Sequence, residues 1–428
     1  MKGQMKPESS YQKKIFLLAI YIMIIIILEI LLKQTVMEKS LVFISSIQNS
    51  SSKMIITFYE KISLFGTDKI ILPIIFILFL KFPLNITHTL FNIFFYCKFF
   101  DNVLKLAFAS PRPFWINFSL MVKCHSGYGN PSSHCFSSTA FYLSLMHIMI
   151  QRNDKKQLNA VYIFGASVLI TLIAISRIVL AVHSVDQVLF GILLGISVYF
   201  YFFFIEEGNK EIDDNTYIKD FYTIQHQNKK WTKVISTYAI FIAISILFYY
   251  IFYSAEMTSK YLETFNGLKC PVKRYGVKLP GEKALVASLN LFGVIGSYYG
   301  LIFLGHLKIT KSSKLINEYE EKIKNKSTLE KIAHLAFISF VFIFILIFVF
   351  KSKRFSFSLK VPLYSFFAGF GLFGIIALFK QILNNEFSEE DGIKLSSLSN
   401  DPTIPKKKLN LTQNPEENND EESSNLIG

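Results

Sequence analysis

Three separated stretches of this 428-residue chain hold residue types that could do chemistry together. The first is Lys105-x6-Arg112-Pro113. The second is Pro131-Ser132-Ser133-His134. The third is Ser176-Arg177-x5-His183, followed by Asp186 and Gln187. Lys105, Arg112 and Arg177 supply three cations. Arginine is otherwise scarce, with only Arg152, Arg274 and Arg354 besides these two. A planar guanidinium fork suits the oxygens of a phosphate. Ser132 and Ser133 stand where an apolar run begins. Their hydroxyls and backbone N–H groups, at the positive end of a helix, would make an anion site. Two histidines remain: one can attack phosphorus while the other protonates the leaving oxygen. No group of His, Asp or Glu has metal-ligand spacing, so neither a metal nor a cofactor is expected. Each stretch also has a plain structural reading: a snorkelling Lys with a turn, a helix N-cap, a packed helix-end His. The joint occurrence of all three favours chemistry.

Positioning these residues falls to membrane-spanning helices. The chain is 51% hydrophobic and 18% charged, with 44 Phe and 21 Tyr; a soluble domain carries about 25% charge. Apolar runs long enough to span predict helices at 15–32, 69–84, 86–106, 135–151, 158–176, 185–205, 234–253, 284–304, 332–350 and 361–379. The expected fold is therefore an all-α polytopic bundle of about ten spans. Its organisation reads as a six-span core over 1–205, further helices and polar loops over 206–384, and a disordered tail over 385–428. Following the chain back and forth through the bilayer brings the three stretches to one membrane surface. The third run is polar for a span. Lys98, Asp101 and Lys105 share one face of it, either as a local ion pair or as the charged wall of a site. Gly191/Gly195 and Gly296/Gly300 have the spacing of close helix packing.

The net charge of +14 is spread as Lys in short loops, which fits topology and lipid headgroups and does not call for nucleic acid. Loop cations are nearly balanced between the two sides, with a lean towards a cytosolic N-terminus. Ile15–Leu32 reads as a retained anchor, since it is too long for a signal-peptide core. Asn49 and Asn117 head glycosylation sequons on the side opposite the N-terminus. Cys97 and Cys135 are expected as buried thiols, and Cys124 could reach Cys270 on one face.

At the three stretches the chain resembles the type 2 phosphatidic-acid phosphatase and vanadium haloperoxidase superfamily, whose pattern is K-x6-RP, PSGH and SR-x5-H-x3-D. The match runs over roughly Asn85–Ile205 with order and spacing intact. The resemblance implies a six-helix core with the site facing away from the cytosol. It implies His183 as nucleophile and His134 as acid, with Lys105, Arg112, Arg177, Ser132 and Ser133 on the phosphate. Two positions depart: Ser133 stands for Gly, and Gln187 for the Asp that orients the nucleophile. Asp186 and Gln187 both share a helix face with His183, and Asp186 is expected to supply the charge.

The implied partner is a phosphomonoester, of a lipid or a sugar, met within membrane lipids. Arg112-Pro113-Phe114-Trp115 and Gln187 resemble glucose-6-phosphatase, while Tyr128-Gly129-Asn130-Pro131-Ser132-Ser133-His134 resembles the sphingoid-base phosphate phosphatases. An endomembrane such as the endoplasmic reticulum is the expected location. The competing reading, from the altered 133 and 187 positions, is an inactive member serving as transporter or scaffold. No chemical signature marks the helices after residue 233.

Overall fold

The computed structural model describes residues 8–120, 122, 125, 127–153, 155–206, 213–214, 216–218, 239–247, 249–251, 280–309, 357–378 and 380. Among these residues there are helices and no strands. The tail, the 332–350 run, and Cys124 and Cys270 lie outside the described residues.

The first helix, α1, runs from Glu8 to Ser50, far beyond the apolar run that predicts it. Its apolar half faces outward, as a lipid-facing helix must. The second expected span is a bent pair: α2 (Lys53–Ser63) with a 3-10 turn to Gly66, then α3 (Asp68–Lys81), meeting at 46°. Next come α4 (Leu84–Phe108), a short α5 (Pro113–Ile116), α6 (Ser133–Gln151), α7 (Lys156–Val179) and α8 (Val185–Phe200), the last extended by a π turn to Ile205. Later elements are α9 (Pro280–Ser288), α10 (Phe292–Ile309) and α11 (Phe357–Phe370).

Four segments among the described residues are long and apolar enough to cross a membrane: Tyr11–Ser50, Lys156–Val179, Val185–Ile205 and Ala284–Gly305. The bent pair makes a fifth. The polar α4 and the serine-rich α6 sit at the centre instead. Their Asp101, Lys105, Ser137, Ser138 and Ser144 are buried against neighbouring helices. Polar groups in a bilayer must be satisfied within the bundle, so the least apolar helices occupy its middle.

α4, α6 and α8 pack together around Phe91, Phe94, Phe136, Phe141 and Phe190. Gly191 and Gly195 let α8 approach α6 so closely that a Cβ at Gly191 would lie 2.8 Å from the Ser132 carbonyl. Gly296 and Gly300 do the same for α10 against α11. Both pairs act as their spacing predicts. Cys97 and Cys135 are buried free thiols, also as expected.

The later helices are joined to the core by buried polar contacts. His88 of α4 meets the Tyr217 hydroxyl at 2.8 Å and the Ser297 hydroxyl of α10 at 3.1 Å. Asp214 accepts from the Leu84 N–H at the start of α4 and pairs with Lys380 at 3.2 Å.

Candidate active site

A cavity of about 150 Å³ opens where α4, α6, α7 and α8 end. Lys105, Arg112, Ser133, His134, Arg177 and His183 all line it, together with Asn102, His125, Gly127 and Ala284. Residues as far apart as 105 and 183 thus share one small space.

Local backbone geometry delivers them. α4 ends at Ala109, which takes a left-handed conformation (φ 42°) and turns the chain towards Arg112. α7 ends near Leu180, and Ala181 (φ 53°) reverses the chain so that His183 enters the cavity. An L residue in this region carries roughly 1 kcal/mol of strain, as is common where a site is held in shape. α6 begins at Ser133, so its positive end faces the cavity.

Lys105 pairs with Asp101 one turn back, and both reach Ser133: Lys105 Nζ donates to Ser133 Oγ at 2.5 Å, and Ser133 Oγ donates to Asp101 Oδ2 at 2.7 Å. The charged face of α4 is therefore at once an ion pair and a wall of the site. Arg112 donates to the carbonyls of Gly127 (2.5 Å), Val182 (2.7 Å) and Tyr128 (3.0 Å), which locks its fork. Arg177 donates to Ser63 at the end of α2, and its Nε has no partner among the described residues. Three buried cations and one carboxylate leave this group with a formal charge of +2, which suits a doubly charged anion.

Gln187, not Asp186, is the residue in contact with His183. His183 Nδ1 lies 3.2 Å from Gln187 Oε1, and the Gln187 amide donates to the Pro111 carbonyl at 2.9 Å. That second bond fixes Oε1 as the atom facing His183. Nδ1 must then carry the proton, and Nε2 presents its lone pair. Arg112 Nη1 stands 3.2 Å from Nε2, as a donor to an unprotonated nitrogen would. The expectation that Asp186 supplies this contact is corrected. As the second residue of α8, Asp186 points away from the cavity, towards Glu29 of α1. Burial pushes the His183 imidazole well below its usual titration range, and the cations Arg112, Arg177 and Lys105 push it further. The neutral, nucleophilic form is thereby favoured.

Ser132 also departs from expectation. Its N–H donates to the Gln187 carbonyl at 3.0 Å, and its side chain does not line the cavity. It holds α6 against α8 and leaves the anion to the Ser133 and His134 end of the helix.

Asn102, lining the cavity from α4, and four further contributors lay outside the motif reading. Ser63 and Gly66 come from the bent pair. A Cβ on Gly66 would lie 2.9 Å from His134 Cβ, so only glycine lets the turn pass there. His125 and Ala284 line the cavity from a loop and from α9. A half-buried His beside a motif carries no spacing signal, and an Ala carries none at all.

The PAP2 superfamily model matches residues 87–211, which contain every motif residue. No curated protein matches the chain. Among solved structures, one similar chain is a transmembrane PAP2 type phosphatidylglycerolphosphate phosphatase from Bacillus subtilis. It is 20% identical with a TM-score of 0.41, over 46% of this chain and 98% of that one. Residues 87–211 of this chain thus match the PAP2 superfamily, within a helical chain that has several segments long and apolar enough to cross a membrane.

Proposed function

We propose that this enzyme removes phosphate from a lipid or sugar monoester through a phosphohistidine on His183, without a metal ion. The observation that carries this reading is the His183 geometry: an imidazole held at Nδ1 by Gln187, with Arg112 at 3.2 Å from Nε2, in a cavity that Lys105 and Arg177 also line. Lys105, Arg112 and Arg177 spread the charge of the phosphoryl oxygens, aided by the α6 terminus. Nε2 attacks phosphorus as the ester P–O bond breaks, and His134 gives its proton to the leaving oxygen. Water then attacks the phosphohistidine, His134 takes up its proton, and inorganic phosphate leaves. A cavity lined by three cations repels a divalent metal ion, which supports metal-independent chemistry.

His183→Ala is expected to abolish vanadate-sensitive phosphate release from a panel of lipid and sugar phosphates in membranes. Release that survives this change, or none from the unmutated protein on any substrate, would favour the transporter or scaffold reading.

We place the site on the non-cytosolic face of an endomembrane. Asn49 and Asn117 are exposed. Gln48, next to Asn49, donates to the carbonyls of Leu120 and Val179, which puts both sequons at the cavity end of the bundle. A mobility shift on glycosidase treatment, lost in Asn49→Gln/Asn117→Gln, tests this orientation. The substrate phosphate and residues 1–205 form the reacting unit, and α9 shapes its wall through Ala284.

A further inference from the structure

Glu29 lies near the middle of α1, outside the matched segment, yet it is buried. An ionisable residue inside a spanning helix calls for a partner and a reason. Its partner is Asn130, whose amide donates to Glu29 Oε1 at 2.5 Å across 101 residues of chain. Asn130 is fully buried and stands two residues before Ser132, in the loop that starts α6. The second neighbour is Asp186, a like-charged carboxyl that acts on Glu29. Lys33, one turn along α1, is the nearest cation, and it makes no ion pair with Glu29 among the described residues.

Two ionised carboxylates are acceptors only, whereas a protonated Glu29 can donate to its neighbour. That proton also removes the repulsion of two buried like charges. The arrangement then makes chemical sense as a chain. Glu29 accepts from Asn130, and Asn130 precedes the anion-binding end of α6. Asp186 also follows His183 by three residues, so the pair adjoins the segments that carry both histidines.

We propose that Glu29, through its bond to Asn130, is a positioning residue that fixes the Asn130–His134 loop for phosphate binding and proton donation. This rests on the reading of the cavity as a phosphatase site. α1 would thus help to set the geometry of a site built from residues more than 70 positions further along the chain.

The test compares Glu29→Leu with Glu29→Gln in the full-length protein in detergent. Turnover of p-nitrophenyl phosphate and binding of vanadate by thermal shift are both read. Gln can accept from Asn130 and donate to Asp186, as a protonated Glu can. Expected is a drop of about tenfold or more in kcat and weaker vanadate binding for Glu29→Leu, with Glu29→Gln within about threefold of wild type on both. Asn130→Ala should match Glu29→Leu, and the double variant should lose little more.

A monodisperse Glu29→Leu protein with unchanged kcat and vanadate affinity would overturn the proposal, because burial alone would then explain Glu29. A Glu29→Gln protein as impaired as Glu29→Leu would also overturn it, because the pair would then need its full charge, balanced by a cation. Vanadate affinity needs only an intact pocket. It therefore judges Glu29 even if no substrate is turned over, while absent turnover in the unmutated protein counts against the phosphatase reading alone.

Discussion

Gln187 stands where a carboxylate is expected and, on the proposed mechanism, changes how His183 is tuned. A neutral amide fixes the tautomer of His183 but adds no charge to stabilise an imidazolium. With three cations nearby, the free imidazole stays neutral to lower pH than usual. The acid limb of kcat/KM, which reports the free enzyme, should therefore fall below about pH 6.5. A pH profile on p-nitrophenyl phosphate checks this, and Arg112→Leu should move the limb upward. The same shift has a sign for stability. Below about pH 6.5 the unfolded chain protonates this histidine while the folded one resists, so the group's stabilising contribution is lost as pH falls. Replacing Gln187 by Ala frees the ring and should lower kcat by about 10- to 100-fold, as for other groups that orient an imidazole. Asp186→Asn should have the smaller effect, since it keeps a hydrogen-bonding partner for Glu29. The reverse order in steady-state kinetics would return the orienting role to Asp186.

At the scale of elements, the site depends on close approaches that only small residues allow. Gly66 lets the turn between α2 and α3 press on His134, and Gly191 lets α8 press on the Ser132 carbonyl. A Cβ at Gly66 would contact side-chain and backbone atoms of His134. Gly66→Ala should thus move the acid and lower kcat about tenfold while KM changes little. Gly191→Leu should separate α8 from α6 and cost about 1–3 kcal/mol of stability, read as a lower melting temperature in detergent. The motif spacing locates His134 and His183, but these glycines decide the distance between them.

At the scale of the whole molecule, the later helices are fastened to the core by groups that a membrane would otherwise penalise. The Asp214–Lys380 pair is buried and caps α4. Removing one partner strands a charge, so Asp214→Ala should cost about 3–5 kcal/mol, and Asp214→Leu/Lys380→Met much less. Unfolding of the two variants in detergent checks this. α9 supplies Ala284 to the cavity wall, so this part of the chain does more than surround the core. A bulky residue there should reduce turnover of large substrates before small ones, a second use of the substrate panel.

The motif residues, their order and the helical class were legible in the sequence because each depends on local facts: residue type, spacing and the length of apolar runs. The close-packing role of the paired glycines and the burial of Cys97 and Cys135 were legible for the same reason. Three things were not. Asp186 and Gln187 sit one position apart on one helix face, and only the direction of α8 against Pro111 and α1 chose between them. Ser132 looked like an anion donor until the fold gave its N–H to Gln187. Ser63, Gly66 and Ala284 meet the cavity or its lining residues from elements with no motif, and Glu29 meets the loop before α6. A hydrogen bond across 101 residues is set by how helices pack, and packing is a property of the assembled bundle that no single stretch of chain contains.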